Sequence, residues 1–493
     1  ARTSANQFKN TDKPPARIGE ELDVGYILEG TIRWQRLEDG SSRVNISPKL
    51  IRVSDGTILW AESYQEKIVK IFQLQTLRAT RVAVALDIEL LESEQSVVEK
   101  ILTENMKAYD YYLRGLEYDR YWAAPSQAGR ALQMYEKTVS LDPEFADAWA
   151  HICRLRVYLA SVGIIERQEL ASAKYAGDMA LSLDEGGLEP QIGLGYYYYN
   201  GFKDYDNALK HFERAKAIAP GRWEAIYGSA CVLRRMGMWE MSFAEYEKAL
   251  KIDPLNWVIS LDLAYSLLLT RDFKNGERIT RHLIDLNPDL MESPSLLIDT
   301  YLGTDGDTTR AAGVLRQALA RGSTIYLVND YEWGTHVLRP IIGGNEEVIS
   351  QIMLAEIPPE ESIRSKAGIF YMKALVYGLS NESDSASIMY EKVLELIEPM
   401  VASDPEIYKY YPVLALAYSG LGRHEESIEL CRKALTMDLI SRDVLVSTSI
   451  SESLAMAYSM ADMEDEAIDL IEALLSRPSR MSVGQLKVDP VWD

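Results

Sequence analysis

Proline recurs at a fixed interval in the middle of this chain. Pro220, Pro254 and Pro288 stand 34 residues apart (254 − 220 and 288 − 254). Each closes a similar phrase: Ala217-Ile-Ala-Pro, Leu250-Lys-Ile-Asp-Pro and Ile284-Asp-Leu-Asn-Pro. Val139-Ser-Leu-Asp-Pro repeats it at Pro143. A fixed period constrains the fold more than composition does, because each unit must bury its apolar face on its neighbours. Inside the period lie the residues of an antiparallel helix pair. The first helix supplies a large residue, a Leu-small pair and an aromatic one turn later. The second supplies a small residue, an aromatic four positions on and a small residue three after that. Small side chains let two helices approach, and the aromatic fills the space between successive pairs. Proline then stops the second helix.

The chain supplies these residues in order. Ala208, Phe212, Ala215 and Pro220 make one second helix; Ser242, Tyr246, Ala249 and Pro254 make the next; Ala131, Tyr135 and Pro143 make an earlier one. Leu414, Ala415 and Tyr418 mark a late first helix, followed by Ser427, Cys431 and Ala434. Leu454, Ala455 and Tyr458 mark another, followed by Ala467, Ile471 and Leu474. With phrases such as Leu414-Ala-Leu-Ala-Tyr-Ser-Gly-Leu-Gly-Arg and Tyr246-Glu-Lys-Ala-Leu-Lys-Ile-Asp-Pro, the stretch from Tyr109 to Leu475 resembles tetratricopeptide repeats. That resemblance implies a mainly α protein, a right-handed α-solenoid of about nine helical hairpins. The array is expected over 105–302 and 366–478, with an irregular helical section at 303–365 and a tail at 479–493. Gly343-Gly344 and Pro358-Pro359 break the periodicity of the irregular section.

Residues 1–100 read differently. Tyr26-Ile-Leu-Glu-Gly-Thr-Ile-Arg-Trp-Gln and Arg43-Val-Asn-Ile-Ser-Pro-Lys-Leu-Ile-Arg-Val alternate in period two and predict strands, with a third over Thr57–Tyr64. Asp39-Gly40 and Asp55-Gly56 are turn dipeptides between them. A helix is expected over about 71–91. The result is a small α/β domain ahead of the repeats. Gly19-Glu-Glu-Leu-Asp-Val-Gly-Tyr-Ile-Leu-Glu-Gly-Thr-Ile-Arg and Leu50-Ile-Arg-Val-Ser-Asp-Gly-Thr-Ile-Leu-Trp-Ala-Glu resemble the FlgO-like domain, also called the TolB amino-terminal domain. The joint Ala108-Tyr-Asp-Tyr-Tyr-Leu-Arg-Gly and the ending Leu486-Lys-Val-Asp-Pro-Val-Trp-Asp are similar too. The resemblance implies a bacterial, extracytoplasmic setting and a missing first strand-helix-strand unit. A DNA-binding, kinase or cyclase module, or a membrane anchor, would precede it.

No constellation for catalysis is present in the sequence. There is no GxxxxGK[ST] loop, no GxSxG elbow and no HExxH, and the five histidines do not pair with cysteines at zinc spacing. Asp305-Gly-Asp307 lacks the rest of a calcium loop and reads as a polar turn. Neither enzyme activity, nor a cofactor, nor a metal is expected. Lys and Arg number 52 and Asp and Glu 74, giving 52 − 74 = −22, a balance that repels nucleic acid. No run of apolar residues is long enough to span a membrane. Cys153, Cys231 and Cys431 are isolated and read as buried residues between helices.

What remains is surface for binding. In such a fold the first helix of each pair lines the concave face. Helical spacing from the large-residue position turns Tyr196, Tyr199, Tyr227, Arg234, Arg235, Leu261 and Tyr265 toward the groove. Tyrosine and arginine dominate interface hot spots, so the expected partner is another protein subunit or peptide. The alternative is that the tyrosines pack between hairpins. An open array also has two unlike ends, and docking one on the other gives a homo-oligomeric ring or a filament. The resemblance implies a second reading, the regulatory or sensory region of a larger bacterial signalling protein.

Overall fold

The structure, a computed structural model, describes residues 2–9, 11–36, 42–67, 86, 102–120, 124–288, 292–321, 339–342, 346–354, 357, 363–404 and 410–492. The chain divides into two compact units. The first holds residues 1–229 and 247–256, the second 230–246 and 257–493.

The first unit begins with two helices that sequence periodicity had not marked, α1 (Arg2–Gln7) and α2 (Pro15–Leu22). Strand β1 (Tyr26–Arg36) pairs antiparallel with β2 (Ser42–Arg52), Tyr26 facing Arg52 and Arg36 facing Ser42. The third strand is split into β3 (Ile58–Ala61) and β4 (Tyr64–Lys67), and both pair with β2. Gly56 turns the chain at φ +70, a conformation that favours glycine, and Asp55 accepts from the Thr57 N–H. The expected Asp39-Gly40 turn and the 71–91 helix lie outside the described residues. Ser4 is fully buried. Its N–H and Oγ donate to the Asp253 carboxylate at 2.8 and 2.5 Å, and its Oγ accepts from the Leu255 N–H at 2.9 Å. The first helix is thus fastened to an Asp-Pro phrase at the end of a repeat.

The helices then follow in pairs. In chain order they are α3 (Met106–Asp119) and α4 (Pro125–Leu141), α5 (Ala146–Ser161) and α6 (Leu170–Leu183), α7 (Leu188–Tyr196) and α8 (Tyr205–Ile218). Next come α9 (Trp223–Arg235) and α10 (Trp239–Ile252), α11 (Trp257–Leu269) and α12 (Phe273–Leu286), α13 (Glu292–Asp305) and α14 (Thr308–Ala320). The shorter α15 (Arg339–Ile342) and α16 (Glu346–Leu354) stand between the sixth hairpin and the last three. Those are α17 (Ile363–Leu379) with α18 (Ser383–Ser403), α19 (Tyr411–Gly420) with α20 (His424–Leu435), and α22 (Val444–Met460) with α23 (Glu464–Leu475). Short α21 (Asp438–Ser441) precedes the last pair, and α24 (Val483–Leu486) follows it. Nine hairpins are therefore present among the described residues, as the repeat predicts.

Proline acts as expected. Helices α4, α8, α10 and α12 end at Leu141, Ile218, Ile252 and Leu286, in each case two residues before the proline. The residue before a proline is pushed out of the helical region, so the helix stops one residue earlier still. The small and aromatic positions are the core. Tyr135, Phe212 and Tyr246 are fully buried, as are Ala131, Ala208, Ala215, Ser242 and Ala249.

What lets Tyr135, Phe212 and Tyr390 in is glycine on a facing helix. A Cβ at Gly115 would collide with the Tyr135 ring, one at Gly195 or Gly228 with the Phe212 ring, and one at Gly420 with the Tyr390 ring. Phe212→Ala should therefore lower stability by about 3–5 kcal/mol, since the two glycines facing it cannot fill the void. Urea unfolding followed by circular dichroism measures it; a loss under about 1 kcal/mol would mean the ring is not a core element.

Candidate interaction surface

In the first unit, polar side chains knit the helix pairs together. Asp119 closes α3 and is buried. It accepts from Tyr135 Oη at 3.0 Å and, through both of its oxygens, from Arg154 Nη2, and His151 Nδ1 lies 3.1 Å from it. The His151 ring stacks on Tyr135 with centroids 4.6 Å apart, and its Nε2 stands 3.8 Å from Glu189. Glu189 in turn accepts from Arg222 at 2.7 Å, and Arg222 also reaches Glu224 at 3.1 Å. Burial by itself would raise the Asp119 carboxyl; the Arg154 charge and His151 outweigh it and hold the group well below the usual carboxylate range. Glu189 is lowered in the same way, burial opposing and Arg222 prevailing.

In the second unit the prominent cations face inward. Arg234 Nη1 lies 3.1 Å from Asp262 and also donates to the Asp262 carbonyl, with its guanidinium over the rings of Tyr246 and Tyr265. Arg235 pairs with Asp443 at 2.7 Å, and Asp443 is the N-cap of α22. Arg271 has a backbone φ of +62 and gathers the carbonyls of Leu474 and Met481 and the Ser479 hydroxyl, each at 2.9 Å. Arg339 is buried between Tyr371 Oη at 3.3 Å and Asp489 at 3.5 Å.

The seven groove positions fall into two sets. Tyr196, Tyr199, Tyr227 and Arg234 are buried, and Arg235, Leu261 and Tyr265 are half-buried. Tyr196 sits edge-on to Phe212 and donates to the Glu224 carbonyl at 3.3 Å. Tyr199 packs near Tyr205 with the Lys203 ammonium over its ring, and Tyr227 packs near Trp223. Leu261 and Tyr265 border the cluster of Ala264, Leu268 and Leu296, and the Arg480 guanidinium lies 5.3 Å above the Tyr265 ring.

The sequence did not single out Asp119, Arg154, Glu189, Arg222, Arg271 or Arg339. Only the spacing of Asp119 from Tyr135 could have pointed to the first of these. All three cysteines are buried, and burial pushes the Cys153 and Cys431 thiols up to about 12. Among the described residues no set of three or more His, Cys, Asp or Glu side chains is placed to hold a metal ion, and no helix is long and apolar enough to cross a membrane.

Stacked helical hairpins of this kind define a helical-repeat protein by class. The repeat itself has a name. Residues 367–399 and 408–440 match the tetratricopeptide repeat family model, so the hairpins α17–α18 and α19–α20 are tetratricopeptide repeats. Such repeats are, in general, protein-interaction scaffolds. A stretch of 152 residues is 28% identical to the putative adenylate cyclase 3 of Rhizobium meliloti (strain 1021), covering 31% of this chain and 25% of that protein. The chain thus spans a quarter of that relative's length. Among solved structures, a tetratricopeptide repeat protein from Parabacteroides merdae ATCC 43184 is similar over 61% of this chain and 97% of its own, at 13% identity and a TM-score of 0.34. The Pseudomonas aeruginosa protein PilF is similar over 50% and 96%, at 17% identity and a TM-score of 0.32.

The Asp119 cluster yields a signed prediction. A depressed folded value means that Asp119 stabilises the fold above its unfolded pKa and that this stability is lost as pH falls through the folded value. Arg154→Met leaves a buried carboxylate without its main counter-charge, so its folded value moves above the unfolded one and the sign reverses. The variant should lose about 3–5 kcal/mol at pH 7 and a smaller amount at pH 4. Urea titrations at the two pH values test this, and an equal loss at both would show that the arginine is not what holds Asp119 ionised.

Proposed function

We propose that this chain is a non-catalytic scaffold that holds other protein subunits or peptides in a bacterial multiprotein assembly. The supporting observation is how the second unit holds a stretch of its own chain beyond its last hairpin. Arg271, on the connection after α11, takes the Leu474 carbonyl at the end of α23 and, beyond it, the Ser479 hydroxyl and the Met481 carbonyl. That is the chemistry of peptide recognition, in which main-chain hydrogen bonds supply affinity and pockets supply selectivity. On this reading the half-buried Arg235, Leu261 and Tyr265 touch a partner directly. The buried Tyr196, Tyr199, Tyr227 and Arg234 set the helix spacing, each within its own unit. Homo-oligomeric, head-to-tail association into a ring or filament belongs to the same proposal, because a repeat array presents unlike ends.

The alternative is a regulatory or sensory region of a larger signalling protein. The likeness to part of a putative adenylate cyclase favours it. So does the resemblance of residues 1–100 to a FlgO-like domain, which would also place the protein outside the cytoplasm. The gene upstream of Ala1 separates the two readings, a cyclase, kinase or DNA-binding module there favouring the second.

The scaffold reading predicts that the immobilised chain retains a discrete protein set from lysate of its host. Leu261→Ala with Tyr265→Ala should cut that retention about tenfold while the far-ultraviolet circular dichroism is unchanged. Quantitative mass spectrometry of the eluates decides it. Unchanged retention by the folded double variant would move the binding face elsewhere, and an empty eluate from the wild-type chain would remove the scaffold reading.

A further inference from the structure

After α23 the chain does not leave the second unit. It turns at the exposed Ser476 and Arg477 and runs back across helices α11, α13 and α22, where Ser479, Met481, Ser482, Gln485 and Asp489 are all buried. The contacts are those of a ligand. The Ser479 N–H donates to the Leu269 carbonyl at 2.9 Å, and Arg271 takes the Ser479 hydroxyl and the Met481 carbonyl. The Arg480 N–H donates to Glu452 at 2.8 Å, and Ser459 Oγ donates to the Val491 carbonyl at 2.7 Å. Asp489 faces Arg339. Gly484 lies so close to the main-chain carbonyls of Leu302 and Gly303 that a Cβ has no room.

Compare this with the repeats, whose helices interlock through aromatic rings with no exposure at all. Here main-chain groups meet side chains of the unit, Met481, Leu486, Val488 and Trp492 add apolar contacts with its clusters, and the Arg480 guanidinium covers Tyr265, one of the half-buried groove positions. None of these contacts depends on the covalent link through Ser476 and Arg477. An arginine that reads carbonyls and a slot that admits only glycine would accept the same seventeen or so residues from another molecule equally well.

We propose that segment 476–492 is an exchangeable occupant of the second unit's groove, and that the same segment of a second copy takes its place, joining copies tail to groove. Seated in cis, the segment closes the site; seated in trans, it makes a heterologous contact that can propagate. The proposal rests on the reading of the second unit as a binding surface and names its partner.

Two full-length variants test it by complementation. Gly484→Leu prevents its own segment from seating, because the atoms it meets are backbone, and leaves the groove intact. Arg271→Glu spoils the groove and leaves the segment intact. Each alone should be monomeric by light scattering, and an equimolar mixture should form a 1:1 complex in the micromolar range, about −8 kcal/mol. A fluorescein-labelled peptide of residues 476–493 should bind the Gly484→Leu chain about tenfold more tightly than the wild-type chain, whose groove is filled, or the Arg271→Glu chain. A mixture that stays monomeric, or a Gly484→Leu chain of wild-type circular dichroism that ignores the peptide, overturns the proposal. Hydrogen exchange on the wild-type chain covers the case in which Gly484→Leu does not fold. Amides 479–485 should exchange about a hundredfold faster than those of Leu296–Leu302, as an element that opens by itself does. Exchange at one common rate would make the segment part of the core and end the idea. Peptide binding without lysate capture would sink only the scaffold reading, and capture without peptide binding only this one.

Discussion

Close packing of a large side chain against small residues on the facing helix is the contact on which the helical repeat depends, and its tightest form is glycine against an aromatic ring. Gly195 and Gly228 flank Phe212, Gly115 meets Tyr135, and Gly420 meets Tyr390. Such a contact brings helix axes near enough for side chains on either side to interlock, and it fixes which faces meet. It also explains the price in sequence freedom: both partners must be kept, since a larger residue on one side overpacks and a smaller one on the other leaves a void. Because each such pair joins helices that are neighbours in the chain, a repeat is read by the one beside it, and no distant contact is needed to define it.

That locality is why so much of the fold was legible. The proline interval, the alanine positions and the aromatics are all separations of a few to a few tens of residues along the chain, and the helices end where the prolines require. Legibility stopped where the geometry departs from a regular helix or where partners are far apart in sequence. The tyrosine run shows the first case. Helix α7 continues as a π-helical turn over Tyr197–Phe202, closed by Lys203 at φ +53. Its wider winding breaks the 3.6-residue spacing by which Tyr196 and Tyr199 were placed on one face. Arg235 shows the second. Its partner Asp443 lies 208 residues away, a separation for which no periodic pattern exists. The helices α1 and α2 were too short to leave a period at all.

Burial of the cations separates the interior of this chain from its exterior. Asp119, Glu189 and Asp489 each meet an arginine, and a lone carboxylate in those places would be far more costly than a paired one. The pairs specify which helix meets which rather than adding much net stability. Outside, the first turns of α20 and α23 carry Glu425, Glu426, Glu464, Asp465 and Glu466, all exposed. Carboxylates favour the positive end of a helix, so each end gains modestly while the net charge of −22 accumulates.

This partition bears on how a strongly acidic chain can bind its own kind. Two surfaces of like charge repel, and at physiological ionic strength salt screens that repulsion beyond about 8 Å. An interface between copies must therefore be short in range and must present something other than carboxylates. Main-chain carbonyls read by a half-buried arginine satisfy both conditions, for they are neutral dipoles and act only at contact. Segment 476–492 carries one carboxylate, Asp489, which Arg339 meets, against the basic Arg477, Arg480 and Lys487. In the proposed exchange, charge repulsion sets a threshold that weak encounters do not pass, and the contacts with Arg271 and with the carbonyls beside Gly484 decide whether a segment that arrives is kept.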